Sequence, residues 1–297
     1  MDRTELGRTG LWTGMLDRLS TPEAQEAARE AEELGYSALW VPEAVGRDPF
    51  ILSTLLLAAT DRLVLATGIA NIYARDAMTM ANSLRTLDEA FGGRFVLGLG
   101  VSHHNLVEWV RKHEYSQPLT RMREYLTFMR EKGVWRSVGP KELPDRIVLA
   151  ALGPRMLQLA AACTAGAHPY FTTPEHTAMA REVMGPDAVL APEQMCILST
   201  DAAEARASAR RTMKTYTDLP NYANNLRRLG FDDHDLDGEC SDRLVDAIVA
   251  WGDEGQIAAR VAAHRDAGAD HVCVQVLAET PEEMRAGWRR LAPALVS

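Results

Sequence analysis

The chain has 297 residues, 46% hydrophobic and 25% charged, with a formal net charge of -9. That balance suits a globular protein with a sizeable core and argues against nucleic acid as the main partner, which would need clustered Lys and Arg. No apolar run approaches the roughly 20 residues of a membrane span, and the first residues carry acids without an apolar stretch, so no membrane partner and no secretory signal are expected and the chain reads as cytoplasmic. Cys163, Cys196, Cys240 and Cys273 lie far apart with no C-x-x-C pair, which reads as reduced thiols and not as a metal site or disulfides.

Taken in order, residues 10–16 read as a first strand. Thr21-Pro22-Glu23 opens a helix, with Thr21 as its cap and Pro22 in its first position, and Ala24, Ala27, Ala28, Ala31 and Leu34 mark its buried face. Residues 36–41 form strand two and 50–59 helix two. The apolar run 63–71 is too short for a helix and rich in β-formers, so it reads as strand three. Ala77, Met80, Ala81, Leu84, Leu87 and Phe91 then recur at helical spacing, Gly92-Gly93 stops that helix, and 94–100 is strand four. Strand, helix, strand with short joints is a βαβ unit, whose strands must be parallel.

The pattern continues past a polar loop at 101–105. Helix four is expected over 119–132, strand five over 146–151, a helix from Pro154, strand six over 167–171 and a helix from Thr173. Strand seven follows at 194–198, with Asp201 and Glu204 as a capping pair for the next helix. A polar, irregular insertion is expected around 221–252, and strand eight at 271–276 precedes a final helix capped by Thr280 and Glu283. Eight strands alternating with helices predict a single (β/α)8 barrel domain over 1–297.

Sites in such barrels lie at the carboxyl ends of the strands, which reduces the search to a short set of residues. Gly68 fits either a backbone bulge against a flat ligand or a tight barrel corner. Gly98-Leu99-Gly100 lacks the third glycine of a dinucleotide fingerprint, since position 103 is His. Glu43 reads as a solvated loop acid or as a proton-transfer or ligand-holding group. His103 and His104 are neighbours, so one can enter a pocket while the other faces solvent. Thr-Pro-Glu occurs at 21, 173 and 280, which favours a generic helix cap, although at Thr173 a free helix start at the site face also suits phosphate. No His/Asp/Glu set has metal spacing, and no metal is expected.

Residues 34–43, 66–71, 93–103 and 150–154, with Gly166-Ala167-His168-Pro169-Tyr170 and residues 172–176, resemble the luciferase-like flavin and deazaflavin oxidoreductases, in particular an actinobacterial branch presumed to use the 5-deazaflavin coenzyme F-420. The resemblance implies a barrel with a non-prolyl cis peptide at Gly68–Ile69, with Ala70 and Asn71 against the coenzyme ring. It implies that Gly100, Val101, Ser102 and His103, together with Ala150, Ala151, Leu152 and Gly153, line the ring and its ribityl chain, and that Thr172 and Thr173 lie near the phosphate. It also implies hydride transfer between the deazaflavin and a small organic substrate, and a homodimer. An FMN-dependent monooxygenase served by a partner reductase, or a flavin-binding barrel without turnover, are the alternative readings. One departure stands out: some deazaflavin relatives carry an acid–His pair after strand two, where this chain has Glu43 and Ala44, which leaves Glu43 and His103 as the catalytic candidates. A bulky residue in place of Gly68 is expected to abolish coenzyme binding and spare the fold.

Overall fold

Every strand pairing in the structure is parallel, as repeated βαβ units require. The computed structural model describes residues 6–132, 136–139 and 141–296. The strands are β1 (Thr9–Trp12), β2 (Ala38–Val41), β3 (Val64–Thr67), β4 (Ala70–Asn71), β5 (Phe95–Gly100), β6 (Ile147–Leu149), β7 (Gly166–Ala167), β8 (Val189–Leu190), β9 (Glu193–Ile197), β10 (Ala250–Trp251) and β11 (Val272–Val276). Their ladder order is β10-β9-β11-β1-β2-β3-β5-β6-β7-β8, with β4 beside β5. β8 pairs with β7, and three residues on, past Ala191 and Pro192, β9 pairs with β11. β8 stands at one end of the order and β9 lies next to β10 at the other, so the short step from β8 to β9 curls the sheet round on itself in the manner of a barrel.

Residues of alternate parity fill two different apolar layers, which is why these strands read as unbroken apolar runs. Ala38, Trp40, Val64, Ala66, Val96, Val148 and Cys273 point inward and pack together inside the barrel. Leu39, Val41, Leu65, Phe95, Leu97, Ile147 and Leu149 point outward and pack under the helices. Those helices are α1 (Thr21–Glu33), α2 (Pro49–Leu57), α3 (Ala77–Ala90), α4 (Pro118–Thr127), α5 (Pro154–Cys163), α6 (Pro174–Met184), α7 (Ala202–Thr217), α8 (Pro220–Arg228), α9 (Asp233–Leu236), α10 (Asp242–Ile248), α11 (Glu254–Asp266) and α12 (Pro281–Leu295). After α3, Gly92 and Gly93 both take positive φ, at 59° and 80°, which ends the helix as expected.

Several expectations need correcting. The cap of α1 is Ser20 and not Thr21: the Glu23 carboxylate, three residues on, accepts from Ser20 N at 2.7 Å and Ser20 Oγ at 2.6 Å. Strand six stops at Ala167, because Pro169 has no N–H to continue a ladder. Helix four gives way at Phe128 to a π-helical turn. The stretch 221–252, expected to be irregular, is mostly helical. Its polar composition hid a one-sided pattern: Tyr222, Ala223 and Leu226 of α8 are buried against Met213, Leu244, Val245 and Ile248, while most of its polar residues stay exposed, some of them at the rim of a cavity. All four cysteines are free thiols.

Glu193, at the start of β9, carries a carboxyl that is almost sealed from water. Its Oε2 accepts from Phe171 N at 3.3 Å, and its Oε1 has no partner. Burial pushes the carboxyl up from 4.5 to about 8, so the acid is held neutral at pH 7. A group whose pKa is raised by folding contributes stability that is complete below its unfolded pKa and is lost as pH rises through the folded one. Glu193→Gln should therefore flatten the fall in melting temperature between about pH 5 and about pH 9. Parallel melting curves for parent and variant would clear Glu193 as the cause of that slope.

Candidate active site

The carboxyl ends of the strands surround a cavity of about 520 Å³. Its wall takes Trp12 from the end of β1, Glu43 after β2, Gly68 and Ile69 after β3, Gly100 to His103 from β5 and its loop, Ala150 to Gly153 after β6, and His168 and Tyr170 after β7.

The third strand supplies the feature the rest of the wall is fitted to. Leu65 and Ala66 pair with Phe95 and Val96, whereas Ala70 and Asn71 pair with Leu99 and Gly100. Five steps on one strand thus face four on the other, so one extra residue bulges toward the cavity. The Gly68–Ile69 peptide within the bulge is cis, as the resemblance implied. Three of its backbone polar groups are engaged: Gly68 N donates to Val41 O at 2.8 Å, Trp12 Nε1 to Gly68 O at 3.0 Å, and Glu43 N to Ile69 O at 3.2 Å. The glycines of β5 make room for it. A Cβ on Gly98 would lie 1.9 Å from Thr67 O, and one on Gly100 would lie 2.4 Å from Ile69 Cδ1. Gly98-Leu99-Gly100 is therefore a packing device for a bulge. The corner reading of Gly68 gives way to the bulge reading.

Glu43 is neither a solvated loop acid nor a free one. Its side chain is 7% exposed; Oε2 accepts from Asn71 N at 2.8 Å, Arg75 Nη1 lies 2.8 and 2.9 Å from its two oxygens, and Arg111 Nη2 is 3.5 Å from Oε1. Arg75 also pairs with Asp48. The carboxylate clamps the far side of the bulge and holds two cations in place. Removing it leaves a partly buried Arg75 short of one partner, so Glu43→Ala should cost about 2 kcal/mol. Urea denaturation checks this, and a loss near zero would show that Asp48 alone suffices for Arg75.

The two adjacent histidines diverge as expected. His104 is exposed and lies 3.1 Å from Glu108, whereas His103 lines the cavity with its ring 5.5 Å from that of Tyr222. Burial lowers the His103 imidazole below its ordinary value, although Asn221 opposes the shift, so the ring is neutral at pH 7. A second imidazole, not among the sequence candidates, also reaches the wall. His168 is 1% exposed and stacks on Trp40 at 4.3 Å. Its Nδ1–H donates to Ala191 O at 2.7 Å, which leaves Nε2 as a lone pair without a partner, 3.1 Å from where a Gly68 Cβ would stand. Burial holds it at about 4 and hence neutral.

Of the sequence-predicted residues, Glu43, Gly68, Ile69, Gly100, Val101, Ser102, His103, Ala150, Ala151, Leu152 and Gly153 meet at this one cavity. Four do not reach its wall. Ala70 and Asn71 are fully buried behind the bulge, where Asn71 N serves Glu43. Thr172 and Thr173 are 1% and 2% exposed, and the Thr173 hydroxyl is spent capping α6 through His176 N at 3.3 Å. Missed altogether were Trp12, Tyr170, Tyr216, Tyr222 and Arg228. The signal for Tyr222 was available in the helical spacing of Tyr222, Ala223 and Leu226 inside a polar stretch. No cluster of His, Cys, Asp and Glu among the described residues could hold a metal ion.

A parallel β/α barrel with a bulged third strand and its cavity at the strand ends defines a class of barrel proteins. Within that class the chain belongs to the luciferase-like monooxygenase family, whose model matches residues 9–271. A Mycobacterium tuberculosis protein named as a coenzyme F-420-dependent oxidoreductase is 28% identical over 203 residues, which are 59% of this chain and 58% of that protein. The chain thus spans less than two thirds of the length of the curated relatives it matches first. Among solved structures, an F-420-dependent tetrahydromethanopterin reductase from Methanopyrus kandleri superposes with a TM-score of 0.77 at 16% identity over 98% of this chain and 99% of that one. An F-420-dependent secondary alcohol dehydrogenase in complex with an F-420–acetone adduct gives 0.75 at 14% identity over the same shares. At such identities the likeness establishes the fold.

Proposed function

We propose that the cavity holds a deazaflavin, coenzyme F-420, and that the protein is an oxidoreductase moving a hydride between that coenzyme and a small organic substrate. The observation that carries this reading is the Gly68–Ile69 bulge, whose backbone forms part of the cavity wall with both carbonyls engaged elsewhere, so that it offers a largely apolar backbone surface to a planar ring. The name given to the mycobacterial relative, a coenzyme F-420-dependent oxidoreductase, supports the choice of coenzyme.

The residues present suit such a ligand. Gly68, Gly100, Ala150, Ala151 and Gly153 bring little side-chain bulk to the wall, which leaves room for a broad flat body. Gly153, the residue before α5, has no side-chain cap; Pro154 has no N–H and Met156 N donates to Gly153 O, so Arg155 N is the helix-start donor left over, and Arg228 Nη2 lies 3.5 Å from where a Gly153 Cβ would stand. An anionic tail fits there better than at Thr172 and Thr173, which are sealed away. When bound, the deazaflavin supplies a ring carbon that accepts or donates a hydride. The chain's part is to orient the reactants, exclude water and manage one proton. Glu43 acts in this reading as the clamp of the bulge. His103 is the cavity imidazole placed to exchange a proton, since it is only partly buried whereas His168 is almost wholly so.

Fluorescence titration of the purified protein with coenzyme F-420 and with FMN tests the reading. The deazaflavin should quench the emission of Trp12 and bind at least roughly tenfold more tightly than FMN. Preference for FMN would turn the assignment to the flavin monooxygenases, and binding of neither would reject it. In turnover, His103→Ala should lower kcat more than it raises KM, and an unaltered rate would remove His103 from proton transfer.

A further inference from the structure

Three tyrosines meet at one corner of the cavity. Tyr170 follows β7, Tyr216 lies in the last turn of α7 and Tyr222 sits on α8, with ring centroids 5.2 Å apart between Tyr170 and Tyr216 and 5.3 Å apart between Tyr216 and Tyr222. Trp12 closes the corner at 5.0 Å from Tyr170. All four line the cavity. Such a recess favours a flat, largely apolar guest, because aromatic faces bury much area in fixed geometries.

Their hydroxyls are not equivalent. Tyr170 donates to Gln275 Oε1 at 2.9 Å. Its proton is thereby committed, so Tyr216 is the donor in the 2.8 Å contact between the two hydroxyls. The Tyr222 hydroxyl has no hydrogen-bond partner among the described residues. Unlike the Tyr73 hydroxyl, it is not sealed from solvent, and the space its residue lines is the cavity. A phenol with a packed ring and an unused O–H at a cavity wall is a donor in want of an acceptor. Among the described residues the nearby cations serve other places: Glu43 holds Arg75 and Arg111, and Arg228 stands beside Gly153, where the anionic tail is placed. An anionic guest is therefore poorly matched and a neutral oxygen well matched.

We propose that this corner is the substrate subsite, that its substrate is a planar, mainly apolar molecule bearing one ketone or alcohol oxygen, and that Tyr222 donates a hydrogen bond to that oxygen. The proposal rests on the reading that the redox coenzyme occupies the bulge side of the same cavity. Burial raises the Tyr222 phenol well above its ordinary value, so it keeps its proton throughout the physiological range.

The test uses the coenzyme-loaded protein, acetophenone as the probe, and ethylbenzene as a probe of similar shape without the oxygen, followed by calorimetry. Acetophenone should bind about fivefold to tenfold more tightly than ethylbenzene, the worth of one neutral hydrogen bond. Tyr222→Phe should erase that preference while leaving ethylbenzene and coenzyme affinity unchanged, and Tyr170→Phe, whose hydroxyl serves Gln275, should keep it. Equal binding of the two probes by the parent overturns the proposal. So does failure of both to bind up to their solubility, equal weakening of both in Tyr222→Phe, or a change in coenzyme affinity in that variant. The same titrations on coenzyme-free protein separate the two readings: if the deazaflavin does not bind, the proposed function fails, while the ketone preference still reports on Tyr222.

Discussion

Gly98→Ala should lose at least about 3 kcal/mol of stability, the upper end of overpacking costs, and yield little folded protein. The added Cβ would stand 1.9 Å from Thr67 O, a backbone atom in the middle of the barrel. A flexible side chain could swing aside, but this oxygen cannot. β3 is held by β2 on one side and β5 on the other, and the Thr67 hydroxyl also donates to Gly98 O at 2.7 Å. Relief would require the two strands to separate at the point where the bulge begins. Urea denaturation measures the loss. A variant within about 1 kcal/mol of the parent would mean that β5 can shift as a unit, and the account of its glycines would fall.

The second large effect is on binding. Gly68→Val should weaken coenzyme affinity at least about a hundredfold, and the structure adds a route that the sequence did not offer. The new Cβ would fall 2.5 Å from Trp12 Nε1 and 3.1 Å from His168 Nε2. The indole that donates to Gly68 O would have to leave, and with it the packing against Tyr170. The expectation that the fold is untouched therefore needs amending: the variant should also lose about 2 kcal/mol through the displaced tryptophan. Titration with coenzyme F-420 and a thermal melt read the two effects separately. Binding at parental strength would place the ring away from the bulge.

Much of the architecture was legible because it is written in local patterns. The apolar spacing of α3, the glycines after it, and the Thr173 and Thr280 caps each satisfy a backbone requirement that neighbouring residues alone can meet. The cis peptide at Gly68–Ile69 was reached by resemblance and not by pattern, since no local preference of Gly-Ile distinguishes a bulge from a corner. Less legible was α8, because a helix that buries only one side among polar residues carries a weak signal of its own. Thr172 and Thr173 are residue types that suit a phosphate at a strand end, and the structure buries both, with the Thr173 hydroxyl engaged in its own helix cap.

By itself the sequence determined the alternation of strands and helices outside 221–252 and the parallel pairing of the strands, and it pointed to their carboxyl ends, because alternation and capping are properties of a residue and its near neighbours. Only the tertiary structure decided that Glu43 is spent on Arg75, that Gly98 and Gly100 exist for the bulge beside them, and that Trp12, Tyr170, Tyr216 and Tyr222 share a corner. Apart from the neighbours Tyr216 and Tyr222, those relations join residues far apart along the chain, for example Glu43 with Asn71 and Trp12 with Tyr222 through Tyr170. Curling of the sheet is what brings such distant residues within contact distance, and no short window along the chain contains both partners.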